Sequence, residues 1–146
     1  MIVVSACLLG ANCKYDGGNN YCEKLASFLD GRKFLCLCPE IEGGLPVPRN
    51  PVEIRGGRVV DKFGTDYTQN FRDGAEKCLR KIDEYLRENP GESIEFAVLQ
   101  ARSPSCGHAR IYDGTFSKVL VDGNGIFAGE LIRRGVRCLT VEELGL

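Results

Sequence analysis

The apolar positions of this chain follow two periods, one of strands and one of helices. Residues 2 to 7, Ile2-Val3-Val4 running up to Cys7, form a short apolar run that predicts a buried first strand. A loop rich in glycine and asparagine follows. Residues 21 to 30 then set Cys22, Leu25, Ala26 and Leu29 on one helical face, and Gly31 stops that helix as its C′ residue. Residues 33 to 38 predict a second buried strand, ended by Pro39. From Ile41 to Asp66 the chain is irregular, with Gly43-Gly44 and the prolines Pro46, Pro48 and Pro51. There Gly56-Gly57, between Val52-Glu53-Ile54-Arg55 and Arg58-Val59-Val60-Asp61, predicts a hairpin. A stretch of that length without a long element argues for a functional insertion.

The strongest helical signal covers residues 66 to 88, where Phe71, Ala75, Cys78 and Ile82 recur at helical spacing before Asn89-Pro90-Gly91. A third strand is expected over 93 to 100, then a glycine-punctuated stretch from Ile111 to Gly125. A last helix over 125 to 134, a strand Val136-Arg137-Cys138-Leu139 and a turn near 141 to 144 complete the chain. Strands alternating with helices predict an α/β domain, a mainly parallel sheet with helices on both faces and a hairpin-bearing insertion. The whole of 1–146 is expected to be one domain, since no linker, repeat or low-complexity tract interrupts it.

That order has a chemical consequence. Right-handed crossovers bring the carboxyl ends of parallel strands to one edge, where ligands of open α/β sheets bind. Cys7, Cys38 and Cys106 each follow a predicted strand. Separate in sequence, they are expected to meet in space. The third lies in Arg102-Ser103-Pro104-Ser105-Cys106-Gly107-His108, where hydroxyls, a thiol and the single histidine crowd one loop.

Composition narrows the options without choosing among them. At 43% hydrophobic and 27% charged residues the chain is an ordinary globular one. A net charge of −1 gives no electrostatic sign of a nucleic-acid partner. No apolar stretch approaches the length that spans a bilayer, and no signal peptide is visible, so a cytoplasmic protein is expected. Eight cysteines in such a chain favour reduced thiols, some of them metal ligands, over a disulfide framework. Cys22, Cys36, Cys78 and Cys138 lie in apolar periodic segments and read as core packing. Cys13 shares a loop with Cys7 and stays open as a further ligand, as does His108.

Three converging thiols leave two chemistries open. With Cys13 or His108 added they make a closed zinc site, although the paired Cys-x-x-Cys knuckles of such sites are missing. Alternatively, three cysteines on a four-iron cluster leave one iron free for substrate, since a full set is four. Glu40, Ser103, Ser105 and Asp16 near such an open site point to chemistry rather than scaffolding. Arg49 and Arg102 are candidates for anion binding. A phosphate-binding glycine motif and a serine-hydrolase elbow are both absent.

A set of motifs carries a family resemblance. Ser5-Ala6-Cys7-Leu8-Leu9-Gly10, Tyr15-Asp16-Gly17, Cys38-Pro39-Glu40, Gly64-Thr65-Asp66-Tyr67-Thr68, Ser103-Pro104-Ser105-Cys106-Gly107 and Ile111-Tyr112-Asp113-Gly114-Thr115-Phe116 resemble, in order and along the whole chain, a bacterial family. It was long filed as domain of unknown function 523 and is associated with thiouracil desulfidases. The resemblance implies a single Rossmann-like domain whose Cys7, Cys38 and Cys106 hold a [4Fe-4S] cluster. It implies non-redox removal of sulfur from a thiolated pyrimidine, with Glu40, Ser103 and Ser105 as candidates for proton handling and a small thio-nucleobase as partner. Gln100 stands where a lysine is expected in many relatives, which bears on specificity. The alternative is a non-catalytic metal-binding module, holding zinc or an iron–sulfur group with four protein ligands.

Overall fold

The computed structural model describes residues 1–146. Four parallel strands form the central sheet: β1 (Ile2–Ser5), β2 (Phe34–Leu37), β5 (Phe96–Val98) and β8 (Cys138–Leu139), in the order β2-β1-β5-β8. From β1 the chain passes outward through α1 (Glu23–Leu29) to the edge strand β2. It then crosses back over β1 to β5, so the strand order reverses between β1 and β5. The doubly covered, mainly parallel α/β architecture expected from the sequence is what the chain adopts.

Strand alternation explains why both faces are covered. Ile2, Val4 and Val98 point to one side and pack on Leu25 and Leu29 of α1. Val3, Ala97 and Leu99 point to the other. There they meet Ala75, Cys78 and Ile82 of α3 (Thr68–Glu88) and Phe127 and Leu131 of α4 (Ile126–Arg133). The Phe71–Ala75–Cys78–Ile82 row is thus the buried stripe of an amphipathic helix, as its spacing predicts.

The region between β2 and α3 holds a short helix, α2 (Pro39–Glu42), and the hairpin β3 (Val52–Arg55) and β4 (Arg58–Asp61), turned at Gly56-Gly57. Proline at the first position of α2 is pre-set for a helical start and gives up no hydrogen bond there. The glycine-punctuated stretch is a second hairpin, β6 (Arg110–Tyr112) and β7 (Leu120–Asp122), which the sequence pattern did not predict.

Two glycines let α2 lie directly against α3. A Cβ on Gly74 would sit 1.9 Å from the Pro39 carbonyl oxygen, and one on Gly43 would sit 2.1 Å from that of Asn70. The Asn70 amide donates to the Gly43 carbonyl at 2.9 Å across the same contact. This backbone-to-backbone seam fixes the turn that carries Cys38 and Glu40.

One expected core position is corrected. Cys36 is exposed, because β2 is an edge strand and its outer residues find no packing partner; Phe34 beside it is 41% exposed. Cys78 and Cys138 are buried as expected, and Cys22, at the start of α1, is partly buried against Leu25 and its neighbours.

Candidate active site

A cavity of about 520 Å³ opens at the carboxyl edge of the sheet, beside the point where strand order reverses. Three elements deliver a thiol to it. Cys7 lies in the single 3-10 turn (Ala6–Leu9) that follows β1, closed by Gly10 at φ 97. Cys38 is the residue between β2 and α2, and Cys106 sits in the loop after β5. Cys13, from the loop after β1, lines the same cavity. No pair among the eight cysteines is bridged.

The thiols are coupled to one another. Cys13 lies close enough to Cys7 and to Cys38 to perturb the titration of both. The bond from Cys13 is the chief reason the Cys7 thiol is held below its ordinary value, helped by the Asn20 amide at 3.7 Å. For Cys13, a bond from Cys38 favours the thiolate, but its own bond to Cys7 and its burial together leave it raised. Cys38 is pushed far up, first by its bond to Cys13 and then by burial. Cys106 is likewise pushed far up, by burial above all.

No three Cys, His, Asp or Glu side chains are gathered round a single ion position. A closed zinc site needs four ligands gathered round one point, which this arrangement does not present. Thiols spread round a cavity fit a polynuclear group with one cysteine per metal atom and one atom left open.

Beside the thiols runs a chain of oxygen atoms. Ser105 is 3% exposed and donates its hydroxyl to Glu40 Oε2 at 2.8 Å. Its single proton is thereby spent, so the 2.9 Å contact with Ser103 Oγ has Ser103 as donor. Ser103 Oγ in turn accepts the backbone N–H groups of Ser105 and Cys106, at 3.1 and 2.8 Å. The hydroxyl chain is therefore built into the turn that holds Cys106. Gly107 and Gly125 allow that turn to close: a Cβ on either would lie 2.6 Å from loop carbonyl atoms.

The roof is made by both hairpins. Glu53 Oε1 accepts the backbone N–H of Gly114 and of Phe116 at 3.0 and 3.1 Å, and Arg55 donates twice to the Gly114 carbonyl. This clamps the 113–119 loop over the opening, with Tyr112, Phe116 and Lys118 lining it. Phe116 and Lys118 adopt positive φ, and no residue type in that loop announces it. The expected roof, residues 41 to 66, thus supplies only part of the cover, through Arg49, Asn50, Pro51, Val52 and Glu53.

Of the candidates read from sequence, Cys7, Cys13, Cys38, Cys106, Glu40, Ser103, Ser105, Gln100, Arg49 and Arg102 line this cavity. Two others do not. His108 is bonded through Nε2 to Glu143 at 2.6 Å, in the turn after β8, and so is no fourth ligand. Asp16 turns outward, accepting the Gly18 backbone N–H at 2.9 Å and facing Lys14. The closed four-ligand module loses His108 as its completing residue. Asn20 and Glu53 are the functional contacts sequence reasoning missed; each acts on backbone or thiol groups distant in sequence.

A thiol-lined cavity with its own carboxylate–hydroxyl chain, at the reversal point of a Rossmann-type sheet, is the arrangement of a cofactor-dependent enzyme. The family comparison gives the class: the model of the 2-thiouracil desulfurase family matches residues 2–143, and the chain belongs to that family. A [4Fe-4S]-dependent thiouracil desulfidase, TudS, has a solved structure that superposes with a TM-score of 0.86 at 39% identity, covering 99% of this chain and 92% of that one. The uncharacterized protein YbbK of Bacillus subtilis (strain 168) is 36% identical, covering 99% of this chain and 97% of its own length.

Proposed function

We propose that this protein removes sulfur from a small thiolated pyrimidine, 2-thiouracil or a close analogue, by hydrolysis without net electron transfer. The observation that carries the proposal is the placement of Cys7, Cys38 and Cys106 around one cavity with a hydroxyl chain that ends on Glu40. The balance is simple: C=S and water give C=O and hydrogen sulfide, and no atom is oxidised or reduced. Kinship with the [4Fe-4S]-dependent desulfidase supports a cluster held by these three cysteines. When bound, such a cluster supplies a Lewis-acidic iron with a position open to the departing sulfur.

The chain's own residues do the rest. Glu40 is positioned as general base. Both donors from Arg49 occupy Oε1, while Oε2 carries only the Ser105 hydroxyl and keeps a lone pair for water. Ser105 polarises that oxygen directly and Ser103 through Ser105, so the loop that carries Cys106 sets how readily Oε2 holds the proton. Val52, Pro104, Tyr112 and Phe116 offer apolar walls to a flat ring. Gln100 lines the cavity with an amide that both donates and accepts, suited to the lactam edge of a pyrimidine. The whole chain acts as one catalytic unit on a small molecule.

The test is anaerobic reconstitution followed by iron, sulfide and uracil assays on one sample. The wild type is expected to hold about four irons and to release uracil from 2-thiouracil. Cys7→Ser, Cys38→Ser and Cys106→Ser are each expected to lose both. A wild type that binds zinc but takes up no iron and sulfide contradicts the proposal.

A further inference from the structure

We propose that Arg49 is the positioning residue of this site, a bolt that joins three cavity-lining segments and aims Glu40; the inference rests on the proposed function. Arg49 is almost entirely buried, its side chain 8% exposed against 15% for Glu40. Its guanidinium makes four hydrogen bonds. Nε and Nη2 both donate to Glu40 Oε1, at 3.2 and 3.0 Å. Nη2 also donates to the Cys13 carbonyl at 2.7 Å, and Nη1 to the Pro46 carbonyl at 3.1 Å. Its backbone N–H donates to the Tyr15 carbonyl at 2.8 Å. One residue therefore ties the Cys13–Tyr15 loop, the α2 turn and the proline-rich insertion together.

The arrangement has a directional effect on the carboxylate. Two donors on Oε1 and one on Oε2 leave Glu40 with a single orientation, in which Oε2 faces the hydroxyl chain of the Cys106 loop. Without the guanidinium, Oε1 has no fixed partner and the carboxylate turns about its last torsion. Lysine does not replace this, because its three N–H groups radiate from one nitrogen and cannot make the four bonds that Arg49 sends from Nε, Nη1 and Nη2. Four of the five guanidinium N–H groups of Arg49 are thus engaged inside the protein, which sets this positioning role against the anion-binding one open to it in the sequence.

Arg49→Lys and Arg49→Gln, each alone and combined with Glu40→Gln, test the proposal. In reconstituted Arg49→Lys the iron content is expected to stay at the wild-type level, with kcat down about 10- to 100-fold, the scale of a misplaced reacting group, and KM changed by less than about twofold. In the Glu40→Gln background either Arg49 change is expected to cost less than about twofold more, since Arg49 acts through that carboxylate. In metal-free protein, iodoacetamide is expected to label Cys13 about fivefold faster or more in Arg49→Lys, as its loop loosens, with Cys78 labelling unchanged. Three results overturn the inference: KM rising while kcat holds, independent multiplication of the Arg49 and Glu40 effects, or loss of iron binding in Arg49→Lys. Unchanged Cys13 labelling overturns it as well. A wild type without turnover refutes the proposed function instead, and the labelling comparison still decides whether Arg49 is the bolt.

Discussion

Gly74→Ala sets two effects of opposite sign against each other. Gly74 lies inside α3, where alanine is the better helix former by about 1 kcal/mol. Against that, the new methyl would stand 1.9 Å from the Pro39 carbonyl oxygen, 2.9 Å from its carbon and 3.0 Å from the Gly43 nitrogen. All three are backbone atoms of α2 and cannot swing aside. Reaching even a 3.0 Å contact requires α2 and α3 to part by about 1.1 Å. Overpacking of this kind costs about 1–3 kcal/mol or more, so the clash outweighs the helix gain. The net loss of up to about 2 kcal/mol lowers Tm by up to a few degrees, at about 2–4 °C per kcal/mol in a chain of this size. The functional effect is larger, because α2 carries Glu40 and begins at Cys38. A displacement of about 1 Å at a reacting group costs on the order of a hundredfold in rate. Melting followed by circular dichroism and anaerobic turnover are the assays, with Gly129→Ala as control. That glycine is also helical, but its Cβ would meet only Asn124 Cβ at 3.8 Å, so alanine there is expected to stabilise by up to about 1 kcal/mol. A Gly74→Ala protein that melts higher and turns over at the wild-type rate refutes the reasoning.

Glu40→Gln is expected to keep its iron and lose about a hundredfold in turnover, the scale of a general base, as judged by iron content and uracil release. Cys78→Ala, in the core where burial pushes the thiol up to about 12, is expected to cost on the order of 1 kcal/mol in urea unfolding. Cys36→Ala, on the exposed edge, is expected to stay within about 0.5 kcal/mol; both variants load iron normally. Glu143 has its carboxyl held down by the Thr140 backbone N–H first, with lesser help from His108. A depressed folded-state value gives stability present above the free glutamate range, near about 4.3, and lost as pH falls through the lower folded value. The urea midpoints of wild type and Glu143→Gln are therefore expected to converge as pH falls from 6 toward 3, by a small increment that salt screens.

Much of this site was legible because strand ends are easy to read. The apolar runs before Cys7, Cys38 and Cys106 announce buried parallel strands, and parallel strands place their carboxyl ends together. What escaped depends on contacts across the fold. Cys36 lies in an apolar run that looks central, but β2 takes the sheet edge and leaves it in solvent. Asp16 and His108 belong to motif-like stretches, yet sequence adjacency does not choose which side of a loop faces a cavity. The second hairpin has strands of three residues each and a turn in which Phe116 and Lys118, as well as Gly114, take positive φ. Gly43 and Gly74 look like ordinary breakers until α2 lies against α3. Arg49 reads as a candidate anion binder until its partners appear, nine residues back at Glu40 and thirty-six back at Cys13.

In the proposed reaction water attacks a thiocarbonyl in this cavity without electron transfer. Turnover of 2-thiouracil by the anaerobically reconstituted protein in ¹⁸O-water, with no reductant present, tests it most directly by mass spectrometry of the product and assay of sulfide. Uracil carrying one ¹⁸O atom is expected, with hydrogen sulfide released in equal amount. Uracil without the label, or turnover that starts only when an electron donor is added, contradicts it.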